Sequence, residues 1–141
     1  MNSRSLLVVA ALLLPTAAPA QKSASSIAGT WEGESVCTVR DSPCHDEHII
    51  YEISQDPPVQ SSPAGTQPWK MDGYKIAEGK KQFMGSLRCS YGEAKRSLSC
   101  VSSSDADWEF FFEGENMRGT LQLGHEKTLF RKVSAKRSTK N

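Results

Sequence analysis

The densest cluster of chemistry-bearing side chains in this chain is His45-Asp46-Glu47-His48, four groups of the kinds that ligate metal ions. Their spacing works against a shared ion. Successive side chains on a strand alternate between faces, so His45 and Glu47 point one way and Asp46 and His48 the other. No metal is expected, and Asp46 and His48 read as a solvated polar face. Glu47 falls on the face of Ile49, where a carboxylate turned inward needs a partner; Arg131 and Arg88 are the candidates. No Gly-x-Ser-x-Gly nucleophile elbow occurs. Gly73 and Gly79 are separated by five residues where a phosphate loop has four, and Lys81 stands where that loop needs Ser or Thr. His125 sits in a turn signal. The chain is therefore read as no enzyme, with no catalytic residue and no cofactor.

The remaining reactive groups are Cys37, Cys44, Cys89 and Cys100, and their chemistry depends on the compartment. Arg4 precedes an unbroken apolar run from Leu6 to Leu14, Pro15 breaks it, and Ala18-Pro19-Ala20 has the small-x-small form of a cleavage site. Residues 1–20 read as a secretory signal peptide whose apolar run is too short to span a bilayer. A periplasmic or secreted location follows, where four cysteines read as two disulfides. Arg4 leaves with the leader, so 16 of the 17 basic side chains remain against 16 acidic ones. A balance near zero argues against a nucleic-acid partner. No later segment is apolar enough for a membrane span, and one soluble domain is expected.

The elements that must position these residues are strands. Gly29 to Val39 alternates, with Trp31, Gly33, Ser35 and Cys37 on one face and Glu32, Glu34 and Thr38 on the other. Cys44 to Ser54 follows, with Glu47, Ile49, Tyr51 and Ile53 on one face. Residues 55–67, rich in Pro, Ser and Gln, form the one long loop. A weaker run from Trp69 to Ala77 is interrupted by Gly73. Gln82 to Tyr91 places Phe83, Gly85, Leu87, Cys89 and Tyr91 together, and Arg96 to Ser102 pairs Leu98 with Cys100. Trp108, Phe110 and Phe112 form the next inner row, then Met117, Gly119, Leu121 and Leu123, then Leu129, Arg131 and Val133. Eight runs in hairpin succession predict an all-β, eight-stranded antiparallel up-and-down barrel over residues 29–133. A flexible arm of residues 21–28 precedes it and a basic tail of residues 134–141 follows. Four cysteines allow three pairings. Those across the two hairpins, Cys37 with Cys44 and Cys89 with Cys100, suit the register, because opposed strand positions bring Cα atoms to about 5.5 Å. Each such staple is worth roughly 2.5–3 kcal/mol by loop-closure reasoning.

Gly29-Thr30-Trp31, opening the first strand of an exported barrel, resembles the Gly-x-Trp signature of lipocalins and the wider calycin group, and the chain is similar to small bacterial envelope proteins with a lipocalin-like barrel. The resemblance covers residues 28–133. It implies that Trp31 plugs one end of the barrel with an Arg from the last strand on its indole, for which Arg131 is the candidate. The chain lacks the helix that follows the last strand in true lipocalins, and its disulfides are hairpin staples.

Such a barrel is either filled or leaves room for one small ligand. The expected cavity wall is Tyr51, Phe83, Tyr91, Trp108, Phe110 and Phe112, with Gly33, Ser35, Gly85 and Gly119 as the small positions that could open space. Aromatic walls favour a small apolar ligand. Val36, Ile50, Met84, Phe111 and Phe130 fall on the outer face and could serve a protein partner or a homodimer. A competing expectation is an envelope interaction module. Small bacterial inhibitors of secreted metalloproteases also carry a Ser-rich arm running into Ala-Gly-x-Trp, and here Ser23, Ser25, Ser26 and Ile27 precede Ala28-Gly29-Thr30-Trp31.

Overall fold

The structure, a computed structural model, describes residues 26–57, 68–102 and 105–139. The predicted leader, arm residues 21–25 and residues 140–141 lie outside them. Eight strands follow in order: β1 (Gly29–Cys37), β2 (Glu47–Gln55), β3 (Pro68–Ala77), β4 (Lys80–Gly92), β5 (Ser97–Val101), β6 (Ala106–Glu113), β7 (Asn116–Leu123) and β8 (Thr128–Arg137). Each pairs antiparallel with its sequence neighbour, and β8 returns to β1, closing an up-and-down barrel. Both hairpin disulfides are present. Cys89 lies directly opposite Cys100 in the β4–β5 ladder, and Cys37 is bonded to Cys44 across the β1–β2 connection.

The period-two alternation fills the interior as expected over most of the chain. Trp31, Ile49, Leu98, Phe110 and Met117 are fully enclosed. Aromatic rings meet edge to face from strand to strand: Trp31 on Phe112 at 5.1 Å, Tyr91 on Phe112 at 6.3 Å, Trp69 on Tyr91 at 5.9 Å and Tyr51 on Phe110 at 5.5 Å. Gly73 does not weaken β3, which runs for ten residues and buries Trp69 and Met71.

Three expectations are corrected. First, Arg137 rather than Arg131 packs on Trp31, with its guanidinium 4.5 Å from the indole centroid. β8 continues through Ser134–Arg137, residues that read as tail because Ala135 is their only apolar member. That extension sets Arg137 opposite Trp31, whereas Arg131 falls opposite Cys37. Second, the N-terminal segment is tied down from Ser26. Ile27 is buried, the Trp31 indole N–H donates to the Ile27 carbonyl at 3.0 Å, and Arg137 donates to the carbonyls of Ala28 and Ser26 at 2.7 and 2.6 Å.

Third, Phe83 lies outside the barrel. Gly85 pairs with Gly73 and Phe83 with Tyr74, so Met84 is an extra residue and the strand changes face there. Phe83 stacks at a tilt on outward Tyr74, 5.4 Å between centroids, and is 60% exposed. A second bulge sets Leu121 opposite Arg131 but Gln122 opposite Leu129, making Phe130 extra and moving Leu129 off the Arg131–Val133 row.

The small inner positions have separate uses. A Cβ on Gly33 would meet the Ser134 carbonyl oxygen at 2.0 Å and Ala135 Cα at 2.6 Å, so Gly33 is required by the close approach of β8. A Cβ on Gly73 would meet only ordinary contacts, the nearest being Tyr51 at 3.5 Å. Gly33→Ala is therefore expected to lower unfolding free energy by about 1–3 kcal/mol or more, as overpacked cores do. Gly73→Ala should change it little, and denaturant melts of the two variants check the contrast.

Candidate functional site

The aromatic chain fills the Trp31 end and leaves the other half of the barrel partly open. There a cavity of about 370 Å³ is lined by Ser35 of β1, Glu47 and Tyr51 of β2, Met71 and Gly73 of β3, Met84 to Leu87 of β4, Trp108 of β6 and Arg131 of β8. The barrel order β2–β1–β8 makes this set possible. Ser35 pairs with Glu47 on one side and Val133 on the other, so Arg131, two residues from Val133, reaches across to both.

Its polar floor is an ion-pair network. Arg131 Nη1 donates to Ser35 Oγ at 3.1 Å and lies 3.4 Å from Glu47 Oε2. Lys75 Nζ approaches Glu47 Oε1 at 3.8 Å. The Arg131 and Glu47 side chains are only 13% and 19% exposed, so each charge needs the other to offset its desolvation. Arg131 and Glu47 line the cavity, and Lys75 meets Glu47 from beyond the lining. Burial pushes the Tyr51 phenol well above its usual range; Arg131 opposes that shift and Glu47 adds to it. Tyr51 therefore stays a neutral hydroxyl at physiological pH and can donate a hydrogen bond. The walls above this floor are Met71, Met84, Leu87 and Trp108, so the cavity can hold a small molecule with an apolar body and a polar end.

Of the residues expected at the cavity wall, Tyr51 and Trp108 are there. Phe110 and Phe112 are buried but do not line it: Phe112 packs on Trp31 and Tyr91, and Phe110 lies behind Tyr51 and Trp108, at 5.5 and 5.8 Å. Tyr91 borders a separate recess of about 330 Å³ with Ile27, Gln55, Trp69, Glu93 and Arg96. Phe83 is removed by the bulge. Sequence reasoning did not place Met71, Met84, Leu87 or Arg131 at a cavity. Met71 and Gly73 shared Trp69's face in the pattern and could have been found, whereas Met84 enters only because β4 bulges.

The His45–His48 run divides between faces. Glu47 turns inward to Arg131, one of the two partners expected for it. Asp46 accepts from the Cys37 backbone N–H at 2.9 Å, and His45 is exposed. His48 lies on the outer wall between two carboxylates, Nε2 at 2.9 Å from Glu32 and Nδ1 at 2.9 Å from Glu34. Among the described residues no three His, Cys, Asp or Glu side chains are placed to hold a metal ion. No helix among them is long and apolar enough to cross a membrane. The chain matches no known protein-family model and no curated protein.

A carboxylate only accepts, so both ring nitrogens of His48 can donate only in the imidazolium form. Its hydrogen bonds to Glu34 and then Glu32 raise its pKa above the ordinary 6.5, against a smaller effect of burial. A folded-state pKa above the unfolded one gives stability that is full below the unfolded value and lost as pH rises through the folded value. Stability at low salt should therefore fall as pH rises above 6.5. His48→Gln should flatten that slope, and an NMR titration of His48 should find its midpoint raised.

Proposed function

We propose that this protein is an exported, lipocalin-like binding barrel that holds one small amphipathic molecule in the cavity beneath Trp108. The observation that carries this reading is the uneven filling of the interior. Rings close the Trp31 end, while Ser35, Gly73 and Gly85 leave room beside a charged floor. At about 370 Å³ the space falls in the lower part of the range for small-molecule sites, roughly 300–1,000 Å³. An apolar body would lie against Met71, Leu87 and Trp108, with an acceptor or anionic end toward Arg131 and the Tyr51 hydroxyl. Two disulfides support an oxidising compartment, in keeping with the leader read in residues 1–20.

A second reading, a protein-interaction module working through its N-terminal arm, is favoured by the clamp of Arg137 and Trp31 on residues 26–28, which gives such an arm a fixed base.

Native mass spectrometry of protein purified gently from its own compartment should find added mass from a single small molecule. Gly73→Leu extends a side chain into the cavity and should abolish that added mass while the circular dichroism spectrum stays unchanged. A clean apo mass from the wild-type protein argues against the binding reading.

A further inference from the structure

All four cysteines are closed into disulfides, so the methionine thioethers are the sulfurs left open to oxidation. Met71 and Met117 are enclosed, 2% and 0% exposed, whereas Met84 is 44% exposed. Met84 also lines the cavity, because the bulge makes it the extra residue of β4. One thioether therefore stands where the cavity wall meets solvent, and an oxidant in water reaches it without entering the barrel.

The inner end of Met84 lies close to Tyr51. A Cβ on Gly73 would lie 3.5 Å from Tyr51 Cε1 and 3.7 Å from Met84 Cε, so the phenol ring and the Met84 methyl converge on one point above Gly73. Tyr51 Cε1 is bonded to the carbon that carries the hydroxyl, and Met84 Cε to the sulfur. Tyr51 is 4% exposed and lines the cavity, and among the described residues its hydroxyl forms no hydrogen bond. The cavity's other strong donor, Arg131, is already engaged with Ser35 and Glu47. The phenol is thus a donor held in the cavity with no described group to accept from it.

A thioether accepts hydrogen bonds weakly, whereas oxidation converts methionine into a polar side chain with a strong acceptor oxygen. With a hydroperoxide as oxidant, a lone pair of the Met84 sulfur attacks the terminal oxygen. The sulfur–oxygen bond forms as the oxygen–oxygen bond breaks, and the proton passes to the departing oxygen, which leaves as water or an alcohol. Sulfur is oxidised by two electrons and the peroxide reduced by two. We propose that Met84 is an oxidation site that governs the cavity, its sulfoxide oxygen accepting from the Tyr51 hydroxyl and standing where the acceptor end of a bound molecule would lie. Loss of a bound molecule rests on the binding reading above; the site of oxidation and its contact with Tyr51 do not. Enzymatic reduction of the sulfoxide restores the thioether, so the change is reversible.

Hydrogen peroxide applied to folded protein expressed from the full-length sequence, followed by peptide mass mapping, tests the site. Met84 should gain one oxygen while Met71 and Met117 gain none. Nuclear magnetic resonance tests the contact: a slowly exchanging Tyr51 hydroxyl proton should appear in the oxidised protein and be absent from the reduced one. Met84→Gln, which supplies a carbonyl acceptor, should show that proton without peroxide, and Met84→Leu should show it in neither state. The position is exposed enough for the fold to tolerate both changes. Protein that carries a co-purified small molecule should hold it about tenfold less tightly once oxidised, as loss of a buried hydrogen-bond donor predicts. If the reduced protein carries none, the binding reading fails, and the mass map and the Tyr51 proton still decide the role of Met84. Oxidation of Met71 or Met117 alongside Met84, or a Tyr51 hydroxyl that oxidation leaves unchanged, overturns the proposal.

Discussion

Closure of β1 against β8 is the contact from which the rest of this molecule follows. An eight-stranded sheet left open exposes two edges; here Trp31 to Cys37 pairs with Arg137 to Arg131 and removes both. The same ladder accounts for three features that look unrelated in the chain. It brings β8 so near β1 that only glycine fits at position 33. It lays Arg137 over Trp31, which with the bonds to Ser26 and Ala28 seals one end. It also sets Arg131 beside Ser35, which gives the cavity its polar floor.

The interior is divided between packing and chemistry. At the Trp31 end the rings of Trp31, Phe112, Tyr91 and Trp69 touch in sequence and form a hydrophobic plug. In the other half small residues stand where large ones would be needed to fill the barrel. A charge placed in such a space is costly unless paired, and Glu47 meets this demand by drawing Arg131 and Lys75 to it from different strands. The network fixes the Arg131 guanidinium at the cavity floor.

Both bulges shape the outer wall as well as the interior. Each adds a single residue, and a single residue is enough to exchange the faces of everything beyond it. At Met84 the exchange moves Phe83 from an expected cavity wall to the outside and places Met84 at the cavity. At Phe130 it takes Leu129 out of the inner row. β3 flanks this half of β4 throughout, and Met84 turns from it into the cavity wall while Phe83 turns out against Tyr74.

The order of strands, their antiparallel succession, the closed barrel and the cysteine pairs were legible in the chain. Alternation, turn residues and hairpin spacing are local, and local chemistry decides them. Trp31, Tyr51, Trp108 and Glu47 were legible as inward groups, because each lies on a regular stretch; that Trp31 plugs an end came only from the Gly-x-Trp resemblance. Arg137 was not, since Ser134–Arg137 carries too little apolar character to signal a strand until β1 is there to pair with it. Nor was the placement of Phe83, Met84 and Leu129: Gly73 and Gly85 meet at the first bulge, but which strand gains the extra residue is decided only by how the strands pair. The sequence by itself therefore determined which segments are strands and which way most side chains face. Only the tertiary structure decided where register slips, which depends on how adjacent strands pair once the sheet is closed, and which arginine meets which partner, because those contacts join residues about a hundred positions apart.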